Sequence, residues 1–571
     1  MNYPIWEVPA AGLLIAAIAV LHVFISHFAV GGGLFLVLLE NKAYRDKDPA
    51  LLRFVRAHTR FFALLTLVLG AVTGVGIWFA ISLVHPQATS TLIQIFVWIW
   101  AIEWTFFLTE ITAAMVYYYG WDRLSPRNHL IVGWIYFGAA WLSLVAINGI
   151  LTFMLTPGEW LTTGSIWDGF FNPTYWPSLV SRTLVAVALA GLFALFTASF
   201  LRQATIQKRI IRYAGLRWLI PAVACLPMAL LWYLVTAVEA GVPAFTVLGS
   251  EDSGLNSALA ALMSRSGSVG IPLTQKAIWL TATSSLLILL GTITAVWRGR
   301  IRPFVAAILL LLGLVSFAGG EWIREDLRKP YVLGRYMFVN GVRLPSHRPD
   351  NGPFRLEDPF SIEVLNRRGV LRTALWRSKS QWPEKESSPS LGDGRELFKL
   401  LCSSCHTLDG HMGIKPLVQG QTEASLESLL DKLAQPVNAT GSQSTWADPE
   451  LTILTWRGRR MPPFVGTATE KKSLAQFLSS LAETNSSAKS VGDGQKFFEE
   501  KCLFCHGGKA NWPMQHIAAG KTAEEFYEAI GRLPDINPIM PPFEGGDEKR
   551  LLVSRYLEVL VAKADSAGGT P

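Results

Sequence analysis

Residues 91–119 read TLIQIFVWIWAIEWTFFLTEITAAMVYYY, an apolar run broken by only two charges, Glu103 and Glu110. A helix needs about 20 apolar residues to cross the hydrocarbon of a bilayer, so this run is expected to span a membrane. The two carboxylates stand seven apart, two helical turns, and therefore share one face. Ionisable groups cost free energy inside lipid and are functional candidates wherever they persist.

Similar runs lie on both sides of it, at roughly 10–39, 60–84, 130–155, 177–200, 217–238, 277–297 and 302–320. Together they predict an all-α fold, a polytopic bundle of about eight transmembrane helices over residues 1–330. Composition agrees: charged residues make up only 16% of the 571, against about 25% in an ordinary soluble chain. The first run is too long, and lacks the small-residue cleavage site, to be expected as a removed signal peptide. The net charge of +8 does not point to nucleic acid, because it is sorted by loop. Lys42, Arg45, Lys47, Arg53 and Arg56 follow the first run, Arg123 and Arg127 the third, Arg202, Lys208, Arg209, Arg212 and Arg217 the fifth, and Arg298, Arg300 and Arg302 the seventh. The alternate loops carry Glu159, Asp168, Glu239, Glu251 and Asp252. Under the positive-inside rule the N-terminus and everything after the eighth run are expected outside, in the periplasm of a bacterial inner membrane.

Past residue 330 two motifs dominate. Cys402-Ser-Ser-Cys405-His406 and Cys502-Leu-Phe-Cys505-His506 have the CxxCH spacing that attaches a c-type haem: two thiols reach the vinyl groups and the imidazole takes the iron. Zinc hooks fit less well, because zinc sites close with four Cys/His ligands at spacings this chain does not show. Covalent haem attachment takes place outside the cytoplasm, the side the charges assign independently. Four of five cysteines are thereby used, and Cys225 is expected to pack as a small hydrophobe.

The surroundings of the motifs repeat. Gly394-Arg-Glu-Leu-Phe and Gly494-Gln-Lys-Phe-Phe precede them, and Met461-Pro-Pro-Phe and Met540-Pro-Pro-Phe follow, each leading into an amphipathic stretch, Lys472 to Glu483 and Glu548 to Ala562. This order of helix, CxxCH, loop, methionine and closing helix resembles the monohaem class I cytochrome c fold. Two cytochrome c domains are expected, at 391–484 and 491–565, after a linker at 331–390 that packs on the membrane part. Met461 and Met540 are the expected distal ligands opposite His406 and His506, a pairing that raises the iron potential. His411, Met412, Met514 and His516 are rivals without a counterpart in the other module.

Within the spans, His22 and His27 lie in the first run, Arg182 opens the fifth, and the eighth ends Glu321-Trp-Ile-Arg-Glu325-Asp-Leu-Arg328. The topology puts His22 and Glu325 at similar depth, on the side of the c-type haems. His58, His85 and His129, near run ends, read as interfacial or structural.

Three stretches carry a family resemblance: Ala101-Ile-Glu103, Phe106-Phe-Leu-Thr-Glu110, and Gly120-Trp-Asp-Arg-Leu-Ser-Pro-Arg-Asn-His129-Leu. They are similar to the third helix and following loop of subunit I of the cytochrome bd quinol oxidases. Gly70-Ala-Val-Thr-Gly74 and Glu325-Asp-Leu-Arg328-Lys-Pro-Tyr331 resemble further segments of that family, so the likeness spans about 1–331. It implies that His22 is a haem ligand, that Glu325 ligates the neighbouring b-type haem beside Arg328, and that Glu103 and Glu110 serve the oxygen-reducing site and its protons. One or two membrane haems of b or d type, and a second integral membrane subunit, are implied with them.

The chain also departs from that pattern. Where the family has a helix-five histidine for its quinol-side haem, this sequence has Arg182, which could pair with a haem propionate or a carboxylate. Lys276–Trp297 holds no methionine to complete such a site, and the quinol loop is reduced to about 240–275. The leading expectation is a membrane-bound haem oxidoreductase in which two covalently bound haem c groups, fed by a periplasmic cytochrome c or redox enzyme, pass electrons to a membrane haem that reduces O2 or NO. The alternatives are an electron-transfer subunit of a respiratory complex without its own substrate, and an altered quinone site near the outer surface. The expected partners include membrane lipid and exclude nucleic acid.

Overall fold

The computed structural model describes residues 8, 11–242, 272–344, 358–374, 389–435 except 411, 461–483, 493–506, 521–537 and, discontinuously, residues between 540 and 560. Among these, eight helices are long and apolar enough to cross a membrane: α1 Gly12–Arg45, α2 Pro49–Val84, α3 Val97–Tyr119, α4 Pro126–Phe153, α5 Tyr175–Ala198, α6 Ala204–Glu239, α7 Gln275–Arg298 and α8 Pro303–Arg328. The fold is all-α, and the chain is a multi-pass membrane protein.

The helix ends obey local rules. Asp48 caps α2 by accepting from the amides of Ala50 and Leu51, with Pro49 in the first turn. Ser125 caps α4 through the Asn128 amide, ahead of Pro126. In the interior, hydroxyls bond the carbonyl one turn back, as Thr59 does to Val55 and Thr112 to Leu108, so they carry no unmet donor into lipid. α1 and α5 form the centre, packing on each other, with α1 also against α4 and α5 against α6; α3 pairs with α4 and α7 with α8. Phe28, Phe35, Phe62 and Phe193 fill the core between them. The basic end is laced by ion pairs, Arg56 to Asp122 and Arg209 to Asp46 and Asp48.

The helices overrun the expected spans. α2 and α6 begin with the amphipathic turns Pro49–Ala63 and Ala204–Ala214, each joined to its apolar part by a π-helical stretch, Leu64–Gly70 and Gly215–Leu219. The third span starts at Val97 rather than 91, because a short helix, Pro86–Ile95, precedes it. Cys225 is exposed on α6, not packed as the sequence suggested; an apolar helix in lipid can turn a small thiol outward as readily as inward.

After α8 comes a short hairpin, β1 Tyr331–Leu333 and β2 Met337–Phe338, paired Tyr331 to Phe338 and Leu333 to Met337. Its two ladder pairs serve different cores. Val332, Leu333 and Met337 pack with Phe96, Phe153, Trp160 and Tyr175 of the membrane bundle. Tyr331, Phe338 and Val342 pack instead with α10 (Leu391–Leu401) and α12 (Ala468–Glu483), the helices either side of the first CxxCH. Between hairpin and α10, α9 (Ile362–Arg368) joins that second core through Ile362 and Leu365. The stretch read as a linker is therefore, over 331–344 and 358–374, shared packing between the two parts.

α10 crosses α12 at Gly394, where an added Cβ would lie 2.1 Å from the Ser473 carbonyl oxygen. α11 (Glu423–Ala434) packs on α12. In the second module α13 (Asp493–Lys501) and α14 (Ala523–Gly531) gather Phe498, Phe526 and Ile530 with Val553 and Leu557. The modules touch where the Gln421 amide donates to the Glu500 carbonyl at 2.9 Å. The expected closing stretch Glu548 to Ala562 is helical at the positions described, 549–550, 552–554, 556–558 and 560, and the joint near Asn485 to Lys489 lies outside the described residues.

Candidate functional site: a pinned histidine, an arginine–glutamate ladder and two matching CxxCH turns

His22 projects from α1 against α2. Its Nδ1 lies 3.2 Å from the Gly70 carbonyl oxygen and 3.2 Å from the Thr73 hydroxyl. Gly70 closes the π-helical stretch, and π turns redirect carbonyls out of the ordinary ladder. A carbonyl only accepts, so Nδ1 carries the hydrogen and Nε2 keeps its lone pair, the arrangement that metal-binding histidines show. Gly74 leaves room for the ring: a Cβ there would stand 3.0 Å from His22 Cε1. The donor set suits haem iron.

Five residues below, His27 donates from Nδ1 to the Val23 carbonyl at 2.7 Å, and its Nε2 is buried without a partner. It lies beside Arg182 and Glu321. Arg182 meets Glu321 at 3.3 Å; Arg324 then bonds Glu321 at 2.9 Å and Glu325 at 2.9 Å. Arg328 holds the other Glu325 oxygen and donates to the Val332 carbonyl at 2.7 Å. This ladder counts three arginines against two glutamates. Arg324 Nη1 and Arg328 Nε are buried and unpartnered. Spare cationic donors at the end of a membrane helix suit anionic groups such as haem propionates. His85, just past α2, faces Arg328 and Glu325; burial, helped by Arg328, pushes its pKa down to about 4, so it is a neutral imidazole there.

The sequence assigned roles to Arg182, Glu325 and Arg328, but none to Glu321 and Arg324, which link them. The available signal was spacing: Glu321, Arg324, Glu325 and Arg328 follow the i, i+3, i+4, i+7 rule of one helix face. The expected pair Glu103 and Glu110 faces α4, where it meets two hydroxyls that the sequence reading passed over. Ser143 donates to Glu103 at 2.8 Å and the Tyr136 hydroxyl lies 3.1 Å from Glu110. Those hydroxyls are also seven apart, so the two helices present matching periods to each other.

The CxxCH segments fold alike. The Cys402 amide donates to Phe398 and the Cys502 amide to Phe498, both at 2.8 Å; Cys405 then bonds back to Cys402, and Cys505 to Cys502, both at 3.1 Å. His406 and His506 close the turns onto the same cysteine carbonyls at 2.9 and 3.0 Å. One helical turn thus puts both thiols and the imidazole along a short stretch of chain in each module. His406 Nδ1 lies 3.1 Å from the Met412 carbonyl oxygen, so the hydrogen sits on Nδ1 and Nε2 is the basic nitrogen. Met412 thereby has a backbone part in the site. Met461 and Met540 are both half-buried. The phenylalanine of each Met-Pro-Pro-Phe is anchored inward: Phe464 lies in the first module's core, and Phe543 sits 5.1 Å from the Phe497 ring. The rivals His411, Met514 and His516 lie outside the described residues, as does most of the reduced quinol loop.

The hairpin that follows α8 reaches the first CxxCH turn, where Asn340 donates to the carbonyl of Leu401, the residue before Cys402, at 3.3 Å.

Residues 11–241 match the family model described as cytochrome bd terminal oxidase subunit I. Among solved structures, the bd oxidase from Geobacillus thermodenitrificans is similar, with a TM-score of 0.48 and 15% identity over 57% of this chain and 87% of that one. No curated protein matches the chain.

Proposed function

We propose that this chain is a respiratory oxidoreductase in which haem c groups on Cys402, Cys405 and His406 and on Cys502, Cys505 and His506 deliver electrons to a bd-type haem site that reduces O2. The match over 11–241 supports the coarser part, a membrane haem protein of oxidase type. The observation that supports the finer part is the hairpin after α8, which packs on the bundle through Val332 and Leu333 and holds the first CxxCH turn through the Asn340–Leu401 bond. Haem iron, when bound, supplies one-electron storage and, where a coordination position is open, oxygen binding.

The residues have distinct tasks. His22 holds iron through Nε2 while Gly70 and Thr73 fix its ring. Arg324 and Arg328 would hold propionates and orient Glu325 as a ligand. Met461 and Met540 complete the c-type sites. Glu103 and Glu110 hold protons at the hydroxyls of Ser143 and Tyr136 and release them toward the reduction site. The donor is a soluble one-electron carrier of the outer compartment, and lipid with a second integral subunit covers the exposed apolar faces of α3 and α7.

A second reading, electron transfer without a substrate, is favoured by one feature. Both Glu325 oxygens are engaged by arginines, and a carboxylate so held could leave the membrane site closed. Pyridine haemochrome analysis with reduced-plus-CO difference spectra decides between them. Two c haems with a CO-reactive b or d haem are expected; two c haems with no CO-reactive membrane haem would overturn the reductase reading.

A further inference from the structure

We propose that Tyr44, Glu40, His129, Tyr117 and Tyr136 form a proton-loading relay that feeds Glu110 from the face bearing the basic loops. The inference rests on the reductase reading, because each O2 reduced to two waters takes four electrons, here from a one-electron donor through the c haems, and four protons. The electrons arrive at one end of the bundle; the relay opens at the other.

Glu40, on α1 near its basic end, is 0% exposed, and His129, at the start of α4, is 1% exposed. A buried carboxylate in a membrane helix needs an explanation in its partners. His129 Nδ1 lies 2.7 Å from Glu40 Oε1, and His129 Nε2 lies 2.9 Å from the Tyr117 carbonyl oxygen. The Tyr117 hydroxyl donates to Glu40 Oε2. The carbonyl only accepts, so Nε2 carries a hydrogen. One more proton can then sit on either side of the Nδ1–Oε1 contact, as imidazolium with carboxylate or as imidazole with carboxylic acid. Both states satisfy every partner, so the proton crosses without a bond being lost. Tyr44, half-buried, stands four residues from Glu40 on the same face of α1, one turn nearer the basic end, and connects it outward.

Inward, Thr59, Tyr117 and Tyr136 line a cavity of about 10 Å³ together with Gly33, Gly133 and Ala114. That is about the space one water needs, and its walls are mainly apolar, so the step from Tyr117 to Tyr136 runs through a single water entering between them. The Tyr136 hydroxyl lies 3.1 Å from Glu110 Oε1 and 3.2 Å from the Ala29 carbonyl oxygen. Its single hydrogen cannot serve both acceptors well. The arrangement is satisfied when Glu110 holds a proton and donates to Tyr136, which donates to Ala29. Glu110 is thus built to receive a proton at the inner end of a chain of hydroxyls whose outer end is a Glu–His pair.

The test uses full-length protein with Glu40→Gln, Tyr136→Phe and Glu40→Asp, chosen because each keeps the side chain's shape or its charge. Steady-state O2 consumption with an artificial reductant of the c haems is measured in H2O and D2O, beside haem spectra. Glu40→Gln and Tyr136→Phe should retain all haems and the rate of c-haem reduction. Turnover should fall by about 10²-fold, the lower range for losing a positioned proton carrier, with a larger solvent isotope effect; Glu40→Asp should recover part of it. Unchanged turnover and isotope effect in both variants, with active wild type, would overturn the relay. Inactive wild type would instead sink the reductase reading. The relay is then read by dye-detected proton uptake on reducing the membrane haem, and uptake equal in wild type and variants overturns it.

Discussion

At His22 the argument turns on a single hydrogen. Because Gly70 and Thr73 fix it on Nδ1, the ring presents Nε2 in one orientation. His22→Ala should abolish the absorbance of a membrane haem while both c haems remain, as haemochrome ratios will report; unchanged b- or d-type absorbance rejects the ligand. Gly74→Val should act in the same direction, since its side chain would push on Cε1. Met461→His should lower the midpoint potential of one c haem and leave the other in place, because a second imidazole favours the oxidised iron more than a thioether does. Redox titration showing no change at either haem would remove Met461 from the ligand set. At this scale the sequence was informative where a motif has fixed spacing, as in the two CxxCH turns. It was silent on Glu40 and read His129 only as interfacial or structural, without its partner. Their partnership joins α1 to α4 across 89 positions of chain, and no local pattern encodes that.

Elements follow the same division. Apolar runs announce spanning helices because lipid demands them. The amphipathic turns that extend α2 and α6 are helical through packing on the basic end, where Phe54, Val55, Ile210 and Ile211 are buried, and no run of apolar residues marks them. The repeat of Gly394 and Gly494 does have a visible reason in the first module: two helices cross at Gly394 too closely for any side chain. Gly394→Val should destabilise that module by about 1–3 kcal/mol, the usual cost of overpacking a filled core. Thermal melting followed at the c-haem absorbance should show one module unfolding earlier than the other; an unshifted melt would mean the crossing can open.

For the whole molecule the question is what fixes an electron donor over a membrane bundle. Two small modules on a flexible tether would meet the bundle only intermittently. Here the hairpin after α8 prevents that, with one ladder pair in each core, and polar bonds pin both sides: Asn340 donates to the Leu401 carbonyl at 3.3 Å, and Arg343 to the Thr91 hydroxyl at 3.1 Å. Leu401 immediately precedes Cys402, so the hairpin grips the haem-attaching turn itself. Glu470 fixes the segment between hairpin and module to the module, accepting from the amides of Val370 and Leu371 at 3.0 and 2.8 Å. If this contact sets the electron path, loosening it should separate the redox centres kinetically without emptying them. The double variant Asn340→Ala with Arg343→Ala should keep every haem and normal reduction of the c haems by an external donor. It should slow the following reduction of the membrane haem by about tenfold, equivalent to about 1.4 kcal/mol of barrier. Stopped-flow spectroscopy at the two sets of bands separates these steps. Equal rates in variant and parent would show that packing by Val332, Leu333 and Met337 holds the donor in place unaided, and would move the coupling from the polar bonds to the apolar face of the hairpin.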